Sequence, residues 1–152
     1  MWFRQDLRLA DNPALEAACD RGAIIPIYIL DDQGAGEHAM GAASRWWLHQ
    51  ALEDLNNSLR GGLQVYRGDA LTLLSELVEQ TGAGAVLWNR CYEPWRIARD
   101  GKIKVALKDR GLEVESFNGS LLWEPWSVLK SDQTPYKVFT PYYRRGWLTK
   151  QP

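Results

Sequence analysis

Residues 3–15 read Phe-Arg-Gln-Asp-Leu-Arg-Leu-Ala-Asp-Asn-Pro-Ala-Leu, the end of an apolar strand, a turn rich in Arg and Asp, and the start of a helix. Asn12 can accept a hydrogen bond from an amide of the first helical turn. Pro13 suits the first helical position, where its missing N–H costs nothing. A strand that passes through Arg4, Asp6, Arg8 and Asp11 directly into a helix puts charge at the carboxyl edge of a parallel sheet, where open α/β folds bind ligands.

Working outward, the same unit recurs. Residues 23–30 (AIIPIYIL) are a nearly continuous apolar run, as expected of a strand buried on both faces, and they end in Asp31-Asp32. Residues 34–41 hold three glycines without periodicity and read as a loop, a candidate mobile lid. A helix follows, with Trp47, Leu48, Ala51, Leu52, Leu55 and Leu59 at helical spacing until Gly61-Gly62 stops it. Residues 63–66 make a third strand and Gly68-Asp69 opens a helix that ends at Thr81-Gly82. Residues 85–88 make a fourth strand, 94–110 a helix weakened by Gly101, and 112–117 a fifth strand. Strict alternation of this kind predicts an α/β, Rossmann-like fold: a five-stranded parallel sheet in the order 3-2-1-4-5 with helices on both faces. Residues 1–118 form this core.

From residue 119 to 152 the pattern stops. This stretch is rich in proline and carries Trp123, Trp126, Tyr136, Phe139, Tyr142, Tyr143 and Trp147, so it reads as an aromatic-rich arm or the start of an interdomain linker. So many large rings do not suit a solvated tail. They imply that the arm packs on this domain or on something beyond residue 152, and that the chain is cut from a longer one.

The 152 residues suffice for one domain with a true core. A formal charge of −1 gives no overall pull toward nucleic acid. The two cysteines, Cys19 and Cys91, form neither a disulfide framework nor a paired zinc motif, which fits a reducing cytoplasm. No apolar run approaches a membrane span, and Met1-Trp2-Phe3-Arg4 lacks the order of a signal peptide, so no membrane partner is expected. Neither a dinucleotide fingerprint nor a P-loop follows any strand, and the chain contains no nucleophile elbow and no zinc-protease pair. The eight tryptophans serve packing in the first instance. What remains is charge at the strand exits: Arg4 and Asp6 after the first, Asp31 after the second, and 89–94 (NRCYEP) after the fourth, with Arg45 in the first turn of a helix. These groups either frame a polar pocket for a flat ligand stacked on Tyr28 or Tyr92, or pair with one another to fix the loops. A cation at a helix start does not favour the helix dipole, so Arg45 answers to a ligand or an acidic partner.

Residues 3–15, 43–52 (ASRWWLHQAL), 88–94 (WNRCYEP), 120–125 (SLLWEP) and 136–143 (YKVFTPYY) together closely resemble the amino-terminal domain of the DNA photolyase and cryptochrome family. The 88–94 and 136–141 segments look most like bacterial cyclobutane pyrimidine dimer photolyases. The resemblance implies the antenna-chromophore domain of a deoxyribodipyrimidine photo-lyase, a carbon–carbon lyase. In such enzymes a larger helical domain of the same chain, beyond residue 152, holds FAD and damaged DNA. The antenna passes excitation to reduced flavin, which donates an electron that splits the pyrimidine dimer. It also implies that the segment in hand is inactive alone and holds no catalytic residue. None of its tryptophans belongs to the family's flavin photoreduction chain. By position, the antenna-site residues are Arg4, Tyr28, Leu30, Asp31, Arg45, Cys91 and Glu93. Two departures leave the pigment open between deazaflavin, folate, a flavin or none: Trp95-Arg96 stands where folate-binding members carry Asn-Glu, and Cys91 where deazaflavin-binding members often carry Asp. Family members also have a few more apolar residues before the first Trp-Phe-Arg. A cryptochrome light sensor and a stand-alone nucleotide-binding module are the alternative readings.

Overall fold

The computed structural model describes residues 1–149; the last three residues of the expected arm lie outside the described residues. Five parallel strands alternate with helices in chain order: β1 (Trp2–Phe3), α1 (Pro13–Arg21), β2 (Ile27–Leu30), α2 (Asp32–Ala35), α3 (Ala42–Ser58), β3 (Gln64–Arg67), α4 (Ala70–Thr81), β4 (Ala85–Asn89), α5 (Pro94–Asp109) and β5 (Glu113–Phe117). The caps are where the sequence puts them. Asn12 accepts from the Leu15 amide at 3.1 Å, Asp69 accepts from the Thr72 amide at 2.8 Å, and Gly82 ends α4 in the left-handed region with φ 68°.

Two segments differ in extent from their sequence reading. The second strand begins at Ile27 rather than at residue 23, because Pro26 has no N–H to give a ladder; its carbonyl instead accepts from the Gln64 amide at 2.9 Å. The glycine-containing stretch after β2 is not a plain loop. It winds into α2 and a 3-10 turn, Gly36–His38, because the Asp31 carboxylate accepts from the Gly34 amide at 2.7 Å and so starts the turn. Gly34 cannot be replaced cheaply, since a Cβ there falls 2.5 Å from an oxygen of that carboxylate.

Hydrogen-bonded pairing groups the strands as two parallel sheets, β3-β2-β1 and β4-β5, so a continuous five-strand ladder is not formed. The reason is the length of β1. Two residues pair with β2 through Trp2–Ile27 and Phe3–Tyr28, and β1 then lies alongside β4 without a ladder.

Strand pleating sorts the core into two layers. Trp2, Ile27, Ile29, Val86, Trp88 and Val114 face one way and meet Ala70 and Leu74 of α4 and Ile103 and Leu107 of α5. Phe3, Tyr28 and Leu87 face the other way and meet Ala14 and Ala18 of α1 and Leu55 of α3. Helices therefore cover both faces. The rings of Trp2 and Trp88 meet edge to face at 5.5 Å, which joins the two sheets through side chains.

A buried polar cluster closes the turn after β1. Asp6, Asn12 and Asn89 are each 5% exposed or less. Asp6 accepts from the Arg4 amide at 2.8 Å and from the Asn89 side-chain amide at 2.5 Å, while Asn89 Oδ1 accepts from the Ala14 amide at 3.2 Å. Asn89 thus ties the end of β4 to both the turn and the start of α1.

From Ser120 onward the chain forms a second compact unit. It is not simply extended: it contains an isolated antiparallel bridge between Leu129 and Pro135, then α6 (Phe139–Pro141), a π-helical turn over Tyr142–Gly146 and a 3-10 turn over Trp147–Thr149. Stacked rings line this run, Phe139 on Tyr143 at 5.6 Å and Tyr143 on Trp147 at 5.0 Å. Among the described residues no helix is long and apolar enough to cross a membrane.

Asn89→Ala takes the shortest donor from the buried Asp6 carboxylate and strands the α1 amide at once, with an expected loss of about 2–3 kcal/mol. Asp69→Ala removes only an exposed cap, with an expected loss of about 1 kcal/mol. The urea unfolding midpoints of the two variants check this ranking.

Candidate functional site

At the carboxyl ends of β1 and β2 a cleft of about 490 Å³ opens between α2, the first half of α3 and the first turns of α5. Tyr28, Trp47 and Trp95 supply aromatic walls, and Arg4, Arg96 and Arg99 supply cations. A cleft between strand exits and the helix that follows β4 is where the topology of an open α/β layer leaves room for a ligand.

A chain of alternating charges forms its floor. Arg4 Nη1 lies 2.5 Å from Asp100 Oδ2, Arg99 Nη2 lies 3.0 Å from Asp100 Oδ1, and Arg99 Nη1 lies 3.1 Å from Asp31 Oδ2. Both guanidinium groups sit over the Trp2 ring, at 4.8 and 5.1 Å from its centroid. The Arg4 side chain is 3% exposed, and its Nε and Nη2 lack a hydrogen-bond acceptor among the described residues. Burial works against the Arg4 charge, but Asp100 and Cys91 outweigh it and hold the guanidinium pKa above its ordinary value. The Tyr28 phenol is pushed up by burial, against the pull of Arg96, so it stays protonated at neutral pH.

The structure brings Arg4, Tyr28, Leu30 and Asp31 together on the cleft wall. Arg45 is turned away to Asp32, which it grips with two bonds of 3.0 and 2.8 Å, while its Nε donates to the Met40 carbonyl at 3.0 Å. That pair, with the hydrogen bonds from Arg45 foremost, holds the Asp32 carboxyl below the usual carboxylate range. The cation at the helix start has found its acidic partner within the chain. Cys91 is buried, with its sulfur 3.4 Å from Arg96 Nη1. Glu93, at the N-cap of α5, accepts from the Gln5 side chain at 2.9 Å and lies 3.7 Å from Arg96. Arg8 fixes backbone, donating to the carbonyls of Asp11 at 2.8 Å and Gly119 at 2.7 Å.

Sequence reasoning missed Trp95, Arg99 and Asp100 as site residues. The signal was available in the helical spacing of Trp95, Arg96, Arg99 and Asp100, which sets aromatic, cation and acid on neighbouring positions of the first two turns of α5.

The DNA photolyase family profile matches residues 1–151. A deoxyribodipyrimidine photo-lyase of Agrobacterium fabrum is 45% identical over 148 residues, covering 95% of this chain and 30% of that protein. Cryptochrome-2 of Arabidopsis thaliana is 37% identical over 154 residues, covering 95% of this chain and 24% of that protein. The crystal structure of a class III photolyase from Agrobacterium tumefaciens superposes with a TM-score of 0.86 at 43% identity, over 95% of this chain and 30% of that one. The chain thus spans less than a third of the length of these relatives. A match along nearly its whole length, with the α/β fold of the photolyase amino-terminal domain, establishes that the chain belongs to the DNA photolyase family.

Proposed function

We propose that this chain is the antenna-binding domain of a deoxyribodipyrimidine photo-lyase, and that the cleft above β1 and β2 receives the pigment. The observation that carries this reading is the union, in one cleft, of three aromatic side chains with the cations of Arg4, Arg96 and Arg99. Such a lining fits a flat ring system edged with hydrogen-bond acceptors, the chemistry shared by deazaflavin, folate and flavin. Strand adjacency of β1 and β4, with the contact of Trp2 and Trp88, supports the order 3-2-1-4-5, in which the cleft would lie beside the switch point.

When bound, the pigment supplies light absorption and passes excitation to FAD held by the helical domain of the full-length protein. The chain's own residues do the holding. Arg4 presents fixed positive charge from below, Tyr28 offers a neutral phenol, and Trp47 and Trp95 exclude water from the ring faces. Leu30 adds an apolar edge and Asp31 fixes the α2 turn through the Gly34 amide. Arg45 acts on the pigment indirectly, by clamping Asp32 and the Met40 carbonyl at the cleft mouth. Cys91 and Glu93 set the position of Arg96. The segment alone, without the flavin domain, is inactive in repair. The similarity to plant cryptochrome-2 favours a second reading, a light sensor on the same scaffold.

The test is an absorption spectrum of the full-length protein from its native host, with the released pigments identified. The expected result is FAD together with a second chromophore. Release of FAD alone overturns the antenna reading. Blue-light repair of a dimer-containing oligonucleotide separates lyase from sensor.

Trp47 is 70% exposed, so its loss spares the core. Trp47→Ala is expected to weaken retention of the second chromophore by roughly threefold to tenfold, the worth of one aromatic contact, with flavin content unchanged. The ratio of antenna to flavin absorbance reads this directly.

A further inference from the structure

We propose that the unit beginning at Ser120 carries a phosphate-binding pocket that grips the backbone of DNA, built from Lys130, Lys137 and Arg145 around Tyr136. The substrate in this proposal rests on the photolyase reading above; the pocket does not.

Charge is distributed unevenly along the chain. Residues 120–152 carry five Lys and Arg against two acids, whereas residues 1–119 carry an excess of four acids. The basic surplus is gathered around a pocket of about 530 Å³ whose wall includes Lys130, Ser131, Tyr136, Lys137 and Arg145 and no carboxylate. Among the described residues, no acid lies within ion-pair distance of Lys137 or Arg145. Asp132 pairs with Lys130 at 3.7 Å, and its carboxylate also accepts from the Thr134 amide at 2.9 Å and the Thr134 hydroxyl at 2.6 Å, so it neutralises Lys130 only in part. Three cations are thus held together with little to neutralise them inside the unit.

The frame beneath them is ordered. The Lys130 amide donates to the Thr134 carbonyl at 2.9 Å, and the Leu129–Pro135 bridge closes that turn. Gly146 is buried against Val128 so closely that a Cβ meets the Val128 side chain, which fixes the backbone next to Arg145. Tyr136 packs edge to face on Tyr142 at 6.2 Å. Cations with little counter-charge on a fixed frame form an anion site, and an open pocket with several of them suits successive phosphates of a polyanion better than one small anion. The phenol of Tyr136 adds a donor of the kind that contacts phosphate oxygens.

The experiment measures binding of the full-length protein to a dimer-containing duplex and to the same duplex undamaged, across a series of salt concentrations. In a Lys130→Gln/Lys137→Gln/Arg145→Gln variant the slope of log K against log salt is expected to fall by about 2–3. Both duplexes are expected to be weakened by the same factor, with flavin content and thermal midpoint unchanged. The single variant Lys137→Gln, at an exposed side chain, is expected to lower the slope by about 1 and remains available if the triple variant does not fold. An unchanged slope overturns the proposal. So does a fall in thermal midpoint without a change in slope, which assigns these cations to another part of the protein. A wild-type protein that repairs no dimer, but whose variant still loses slope, supports the pocket and overturns the photolyase reading.

Discussion

The alternation of charge from Arg4 through Asp100 and Arg99 to Asp31 is the interaction on which the rim of the cleft depends. β1 and β4 are not joined by a ladder, so the two sheets need another means of registration at their carboxyl edge. This ionic chain supplies it, linking the exit of β1 to the second turn of α5 and then to the exit of β2. Removing Asp100 leaves Arg4 buried without its partner, and removing Arg99 does the same to Asp31, which is far more costly than the pair is worth in itself. Asn89 makes the matching uncharged connection on the α1 side, through Asp6 and the Ala14 amide.

The same arrangement explains the electrostatic character of the cleft. Two arginines share two carboxylates, yet Arg4 retains nitrogens without acceptors because its geometry is fixed by Asp100 and by the face of Trp2. A cation bound this firmly cannot swing out, so a pigment in the proposed site has to come to it. That is the form preorganisation takes here: ordering is completed during folding and is not charged against binding.

Much of this was legible in the residues themselves. Asn12 with Pro13, and Asp69 with Gly82, mark helix ends by local chemistry alone, and the caps form there. The apolar run ending at Leu30 and the one from Ala85 to Trp88 read as buried strands because both faces are covered. What escaped the sequence depends on tertiary partners. Asp100 and Arg99 look like a solvated helix face until the fold sets them under Arg4 and Asp31. Arg45 looks like a ligand group until Asp32 is found thirteen residues upstream in the chain and within 2.8 Å in space. The α2 turn was missed because its stabilising contact is a single carboxylate–amide bond, which glycine-rich composition conceals.

Gly34 offers a last consequence. A methyl group in place of its hydrogen atom collides with both oxygens of the Asp31 carboxylate, at 2.5 and 2.7 Å. A side chain at position 34 therefore has to push that carboxylate off the amide it accepts from and away from Arg99, so a one-carbon change in the turn is felt in the ionic chain beneath the cleft.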